Sequence, residues 1–136
     1  MLKRFIIKCT RLAKSQISDE KKVQHVEIDL IKDFSGLVEQ HFRTEHSVQY
    51  YADRLFKSPK TLSNLFKKYN DKSPLRIIQE RLALEAKRLL YYTDKSAKEI
   101  AFDLGFDDPA HFSRFFKKEV GQSPSDFKES KVNQPT

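Results

Sequence analysis

The chain has 136 residues, enough for one domain with a modest core and an additional arm. Charged residues make up 33% of it and the formal net charge is +7, which points to a polyanionic partner, nucleic acid before an anionic membrane. Cys9 is the single cysteine, so an internal disulfide and a cysteine-rich metal site are excluded; no stretch approaches the ~20 apolar residues of a membrane span, and a reducing, cytoplasmic setting without a membrane partner is expected.

The N-terminus opens like a signal peptide, but Lys8 and Arg11 interrupt the apolar run too early for one. Glycine is scarce, and no alternating strand pattern occurs. Apolar residues recur at spacings of three and four, so the fold class is all-α. Residues 2 to 16 place Leu2, Phe5, Ile6, Cys9, Leu12 and Ala13 on one helical stripe, with Lys3, Arg4, Lys8, Arg11 and Lys14 between them. This is an amphipathic helix with a coiled-coil-like seam that needs a partner, and Leu2, Phe5, Cys9 and Leu12 are the expected dimerisation residues. Ser15 to Gln24 is polar and reads as a linker. A second helix, from Val26 to Phe42, turns Leu30, Phe34, Leu37, Val38 and Phe42 inward.

From residue 47 onward the sequence repeats itself. Phe56-Lys57-Ser58-Pro59 and the residues to Lys68 are echoed 50 residues later by Phe106-Asp107-Asp108-Pro109 and the residues to Lys118. Ala52 and Leu55 match Ala101 and Leu104 at an offset of 49, so the second turn is one residue longer. Each copy has the grammar of a helix-turn-helix. A short helix carries a small residue where another helix must approach closely, a turn follows, and Ser58 or Asp108 caps a helix whose first residue is proline. Between the copies, Pro74 opens a linker helix to about Tyr92 with an inner stripe of Leu75, Ile78, Leu82, Ala86 and Leu89. Its ~28 Å length suits two recognition helices in successive major-groove segments about one helical turn of DNA apart.

On the helix of about 59–69, Leu62, Leu65, Phe66 and Tyr69 form a core face, opposite Lys60, Asn64 and Lys67 with Ser63 at the flank. On the helix of about 109–120, Phe112, Phe115, Phe116 and Val120 lie opposite Ala110, Arg114 and Lys117, flanked by Ser113 and His111. Lysine and arginine donate to guanine, asparagine pairs with adenine, and alanine meets the thymine methyl. Lys60, Ser63, Asn64, Ala110, His111, Ser113 and Arg114, near the helix starts, are therefore the expected base contacts. Lys67, Lys68, Lys117 and Lys118 lie further along and are expected at phosphates. A basic face on one helix is usually only a solvated face; here it recurs at matching positions in two copies of one unit.

An enzyme finds no support, since no Gly-rich phosphate loop, carboxylate cluster or nucleophile–base spacing is present, and no catalytic residue or cofactor is expected. His41 and His46 are five apart, a poor helical pairing for metal, and read as surface or capping residues. A non-specific architectural nucleic-acid binder remains an alternative, though the aromatics sit at core spacing rather than on a stacking platform.

The run Arg81 to Leu90, then Glu99 to Phe106, Phe112 to Lys118 and Gly121-Gln122-Ser123-Pro124 resembles the signature of the AraC/XylS transcription regulators. The resemblance covers about residues 30 to 128. It implies two helix-turn-helix units, a rigid linker helix, about seven helices and base contacts at the positions already named. It also implies a structural role for Arg81 in tying the linker helix to a neighbouring unit. Double-stranded operator DNA is the expected partner; RNA polymerase and a second copy of the chain are further candidates. The expected organisation is an N-terminal amphipathic helix and polar linker over 1–26, the remnant of a sensor or dimerisation domain of a larger, ligand-responsive regulator. The double helix-turn-helix follows over 27–130, and a disordered tail over 131–136. A stand-alone small activator fits the same residues. One departure from the pattern is Phe56, which stands where glycine is favoured; either that turn has another geometry, or Phe56 is packed strongly enough to tolerate a positive φ.

Overall fold

The computed structural model of the chain describes residues 15–69 and 72–133, and Leu2, Phe5, Cys9 and Leu12 lie outside them. Among the described residues there are seven helices and no strand: α1 Ser15–His41, α2 Val48–Arg54, α3 Pro59–Tyr69, α4 Pro74–Tyr92, α5 Ala97–Asp103, α6 Pro109–Val120 and α7 Pro124–Asn133. The all-α reading and the order unit, linker helix, unit hold.

Helix starts are written in side chains. Ser47, Ser58, Ser73, Ser96, Asp108 and Ser123 each accept a hydrogen bond from the backbone N–H three residues on, at 3.3, 3.1, 3.1, 3.1, 2.7 and 3.1 Å respectively. At α5 the Glu99 carboxylate also accepts from the Ser96 N–H at 2.8 Å, completing a capping box. Such caps satisfy donors that a helix start otherwise leaves open to water.

The core is one cluster that runs through both units. Phe34 of α1 meets Tyr51 and Phe66 edge-on at centroid distances of 5.5 and 5.1 Å, while Phe112, Phe116 and Phe127 stack through α6 and α7 at 5.9 and 5.6 Å. Ala52 and Ala101 are fully buried, as close helix approach requires. Ile78, Leu82, Ala86 and Leu90 of α4 join the two halves.

Three expectations are corrected. The segment Ser15 to Gln24 is helical rather than a linker, so one helix of 27 residues runs through the expected boundary at Val26. Its polarity follows from exposure, since Asp19 to Val26 are all exposed. Leu75, expected inside, is 44% exposed because buried Pro74 starts the stripe, which then descends in steps of four through Ile78, Leu82, Ala86 and Leu90. At the C-terminus, α7 runs to Asn133, so the first residues of the expected disordered tail are helical.

Candidate nucleic-acid interface

Helices α3 and α6 present the two faces anticipated from the sequence. On α3, Lys60, Asn64, Lys67 and Lys68 are exposed and Ser63 is half-buried, opposite buried Leu62, Leu65 and Phe66. On α6, Ala110, His111, Arg114, Lys117 and Lys118 are exposed and Ser113 is half-buried, opposite buried Phe112 and Phe116. Each set shares a face because residues three and four apart align along a helix. Proline at the first position removes an N–H that had no helical partner, leaving the remaining donors of that turn near the polar face.

Two of these residues have neighbours the sequence did not reveal. The His111 ring stands edge-on to Phe106, 5.1 Å between centroids. The Lys68 ammonium lies 3.0 Å from the Glu27 carboxylate of α1, which also accepts a hydrogen bond from the Tyr69 hydroxyl. The Tyr69 and Lys68 contacts hold the Glu27 carboxyl below the usual range, and Glu27 raises Lys68 in turn. Lys68 is thus already paired with a carboxylate, with its side chain still 59% exposed.

The two turns share their backbone. Lys57 N–H donates to the Ala52 carbonyl at 2.9 Å and Phe106 N–H to the Ala101 carbonyl at 3.0 Å, each closing its helix in the same way. The residue before each donor is left-handed: Phe56 has φ 57° and Gly105 φ 80°. Neither alternative offered for Phe56 is met, since the geometry is that of the glycine turn and the ring is 92% exposed. The longer second turn places its phenylalanine one residue later, at Phe106, where it is 5% exposed. Phe106 packs against His46, His111, Phe112 and Phe115. His46 is accordingly half-buried rather than a surface or capping residue, and burial pushes its pKa down.

The frame beneath the two faces is tied by carboxylates that sequence reading passed over. Glu85, 2% exposed, accepts from Arg43 at 3.0 Å and Arg88 at 2.7 Å. The Arg88 hydrogen bond, with Arg43 behind it, keeps Glu85 ionised against its burial. Arg76 of α4 pairs with Glu119 of α6. Arg81 pairs with Glu39 of α1 and lies over the Phe42 ring at 4.2 Å, the structural tie expected of it. Apart from Arg88 and Glu85, three residues apart on α4, these partners are some forty residues apart, and no local pattern announces them.

Among the described residues no group of three His, Cys, Asp or Glu side chains could hold a metal ion, and no helix is long and apolar enough to cross a membrane. A helix-turn-helix domain family model matches residues 51–130. The chain is 34% identical over 94 residues to the HTH-type transcriptional activator RhaS of Escherichia fergusonii, covering 69% of this chain and 34% of that protein. It thus spans about a third of the length of the curated relatives it matches. Among solved structures, the C-terminal domain of AraT, a response regulator from Geobacillus stearothermophilus, superposes with TM-score 0.70 at 26% identity, covering 74% of this chain and 84% of that one. The DNA-binding domain of the global transcriptional factor AdpA, in complex with a target DNA, superposes with TM-score 0.65 at 27% identity, covering 74% and 90%.

Proposed function

Because the chain belongs to the AraC/XylS family of helix-turn-helix transcription regulators, we propose that it regulates transcription by setting α3 and α6 into successive major-groove segments of a specific duplex site. The observation that carries this reading is the pair of equivalent exposed faces on α3 and α6, each beginning at a capped, proline-led helix start and each backed by one shared core. Lys60, Ser63 and Asn64 read bases in one segment; Ala110, His111, Ser113 and Arg114 read the other. Lys67, Lys68, Lys117 and Lys118 take phosphates. The chemistry is recognition rather than catalysis. Residues 27–130 form the DNA-binding unit of a larger cytoplasmic regulator, with RNA polymerase as a downstream partner. Residues 1–26 carry self-association, through Leu2, Phe5, Cys9 and Leu12.

The test is selection of binding sites from a random duplex library at near-physiological salt. Two enriched blocks about ten base pairs apart are expected. A single block would assign base reading to one unit and backbone clamping to the other. No enrichment by folded protein would overturn the reading.

A further inference from the structure

His111 stands exposed on the reading face of α6, and its ring meets Phe106 at an interplanar angle of 90°, 5.1 Å between centroids. Phe106 lies in the turn ahead of α6 and is 5% exposed. It also meets the ring of His46, in the loop after α1, at 5.1 Å and 46°. Three rings thus join the first half of the chain to the reading face of the second unit. Packed aromatic pairs favour particular angles, so each ring constrains the plane of the next.

The first unit is built differently at the same place. Exposed Lys57 occupies the backbone position of Phe106, and Thr61 the position of His111. The Thr61 hydroxyl is 2.9 Å from the Ser58 hydroxyl, so the cap of α3 itself orients that side chain. In the second unit the cap Asp108 accepts the backbone N–H of His111 at 2.7 Å, and the His111 ring is left to its contact with Phe106. The Phe106 ring is in turn held by Phe112 and Phe115 of α6, at 5.3 and 5.4 Å, and from outside the unit by His46. His46 has little room to move. Its Nε2 is buried without a hydrogen-bond partner, and a Cβ added at Gly105 would lie 3.4 Å from it. Burial lowers the His46 pKa, with His111 of α6 adding to the shift and the Leu104 backbone, Glu45 and Asp107 opposing it. At neutral pH the ring that backs Phe106 is therefore an uncharged aromatic body, for which phenylalanine is a near substitute.

We propose that His46 is a positioning residue for DNA reading: from the loop after α1 it backs Phe106, and Phe106 sets the plane in which the His111 ring meets its base pair. This rests on the base-reading role of His111 given above and adds a determinant of specificity that lies outside the second helix-turn-helix. A hydrogen bond to a base edge depends on the direction of the ring nitrogen, so a ring free to turn discriminates poorly even where it stays in the groove. A change at position 46 is thus expected to act on one base position of the second block and to leave the block read by α3 as it was.

The test uses the full chain, selection from a random duplex library at pH 7.5, and three variants. His111→Ala first locates the position that His111 reads, by the loss there of a preference worth about fivefold or more. His46→Leu keeps apolar volume behind Phe106 but no flat face, and is expected to take that preference most of the way to the His111→Ala level with all other positions unchanged. His46→Phe restores the flat face and is expected to select as the wild type does. In the free protein the NMR shifts of the His111 ring protons are expected to move in His46→Leu and to stay in place in His46→Phe, which checks the stack apart from any DNA. A His46→Leu chain that keeps the wild-type preference, or the wild-type shifts, would overturn the proposal. So would loss at every position alike, the mark of a general effect on folding, or equal damage from both substitutions, which would assign the role of His46 to its nitrogens rather than its ring. If His111→Ala alters no position, His111 is not a reader and the proposal falls, while two enriched blocks would still leave the DNA-reading assignment of α3 and α6 standing.

Discussion

Phe56 and Gly105 occupy one backbone position in two turns, and only one of them suits it. A side chain at φ 57° is disfavoured by crowding of its Cβ, and 92% exposure leaves Phe56 no packing to offset that. Phe56→Gly is therefore expected to stabilise the fold by about 1 kcal/mol in urea unfolding. Gly105→Ala should do the reverse and by more. Its Cβ would meet the Arg43 carbonyl oxygen at 2.6 Å and the Thr44 Cα at 3.2 Å, both backbone atoms, in addition to the strain at φ 80°. A loss of about 2 kcal/mol or more is expected; equal effects of the two substitutions would mean the turns are not equivalent. On the DNA face the same scale separates two roles. Arg114→Ala is expected to cost ~1–3 kcal/mol and relax preference at one or two base positions. Lys117→Ala should weaken all sequences alike and lower the salt slope by about one. The opposite pattern in quantitative binding titrations would exchange the two assignments.

Between elements, the second helix-turn-helix docks on the first through the loop after α1, where His46 meets Phe106 and Gly105 abuts Arg43. Burial lowers the His46 pKa, with Glu45 and Asp107 opposing and His111 adding to the shift. The folded state thus binds less proton than the unfolded chain. Its stabilisation is complete above the ordinary histidine value near 6.5 and is lost as pH falls below it. Urea midpoints are expected to drop from pH 7.5 to 5.5 in the wild type and to drop less in His46→Gln; parallel curves would remove His46 from this role. Much of the element plan was legible in the sequence. Serine or aspartate before proline marked α3, α4 and α6, and the doubled Ala–Leu–turn–Ser/Asp–Pro spacing marked both units, because caps and turns are local chemistry. The faces of α3 and α6 were legible for the same reason. What was not legible depends on distant partners. The polar stretch from Ser15 folds as helix, Phe56 keeps a glycine's geometry, Lys68 is held by Glu27, and Glu85 is buried between arginines from two elements. No periodicity encodes an ion pair across forty residues.

For the molecule as a whole, the question is whether the two reading helices act as one ruler or as two hands. A single buried cluster runs from Phe34 to Phe116 without a gap at the linker helix. Along α4, Arg76 is fastened to α6 through Glu119, Arg81 to α1 through Glu39, and Glu85 to the loop after α1 through Arg43. Bending α4 between the units would expose Ile78, Leu82 and Ala86, each at most 2% exposed, at about 25 cal/mol per Å² of apolar surface. The separation of α3 and α6 is thus set by the core rather than by a tether. DNA has to supply the matching separation, about one helical turn between the two blocks. Inserting about five base pairs between the blocks turns one of them to the far face of the duplex, and only one unit can then read. Affinity is expected to fall to that of a site with one block scrambled, and to stay there when about ten base pairs are inserted, since a rigid α4 cannot lengthen to follow the correct face. Recovery at ten base pairs would show that the units move independently on a flexible connection, whereas the same low affinity at both insertions identifies one rigid reader of fixed span.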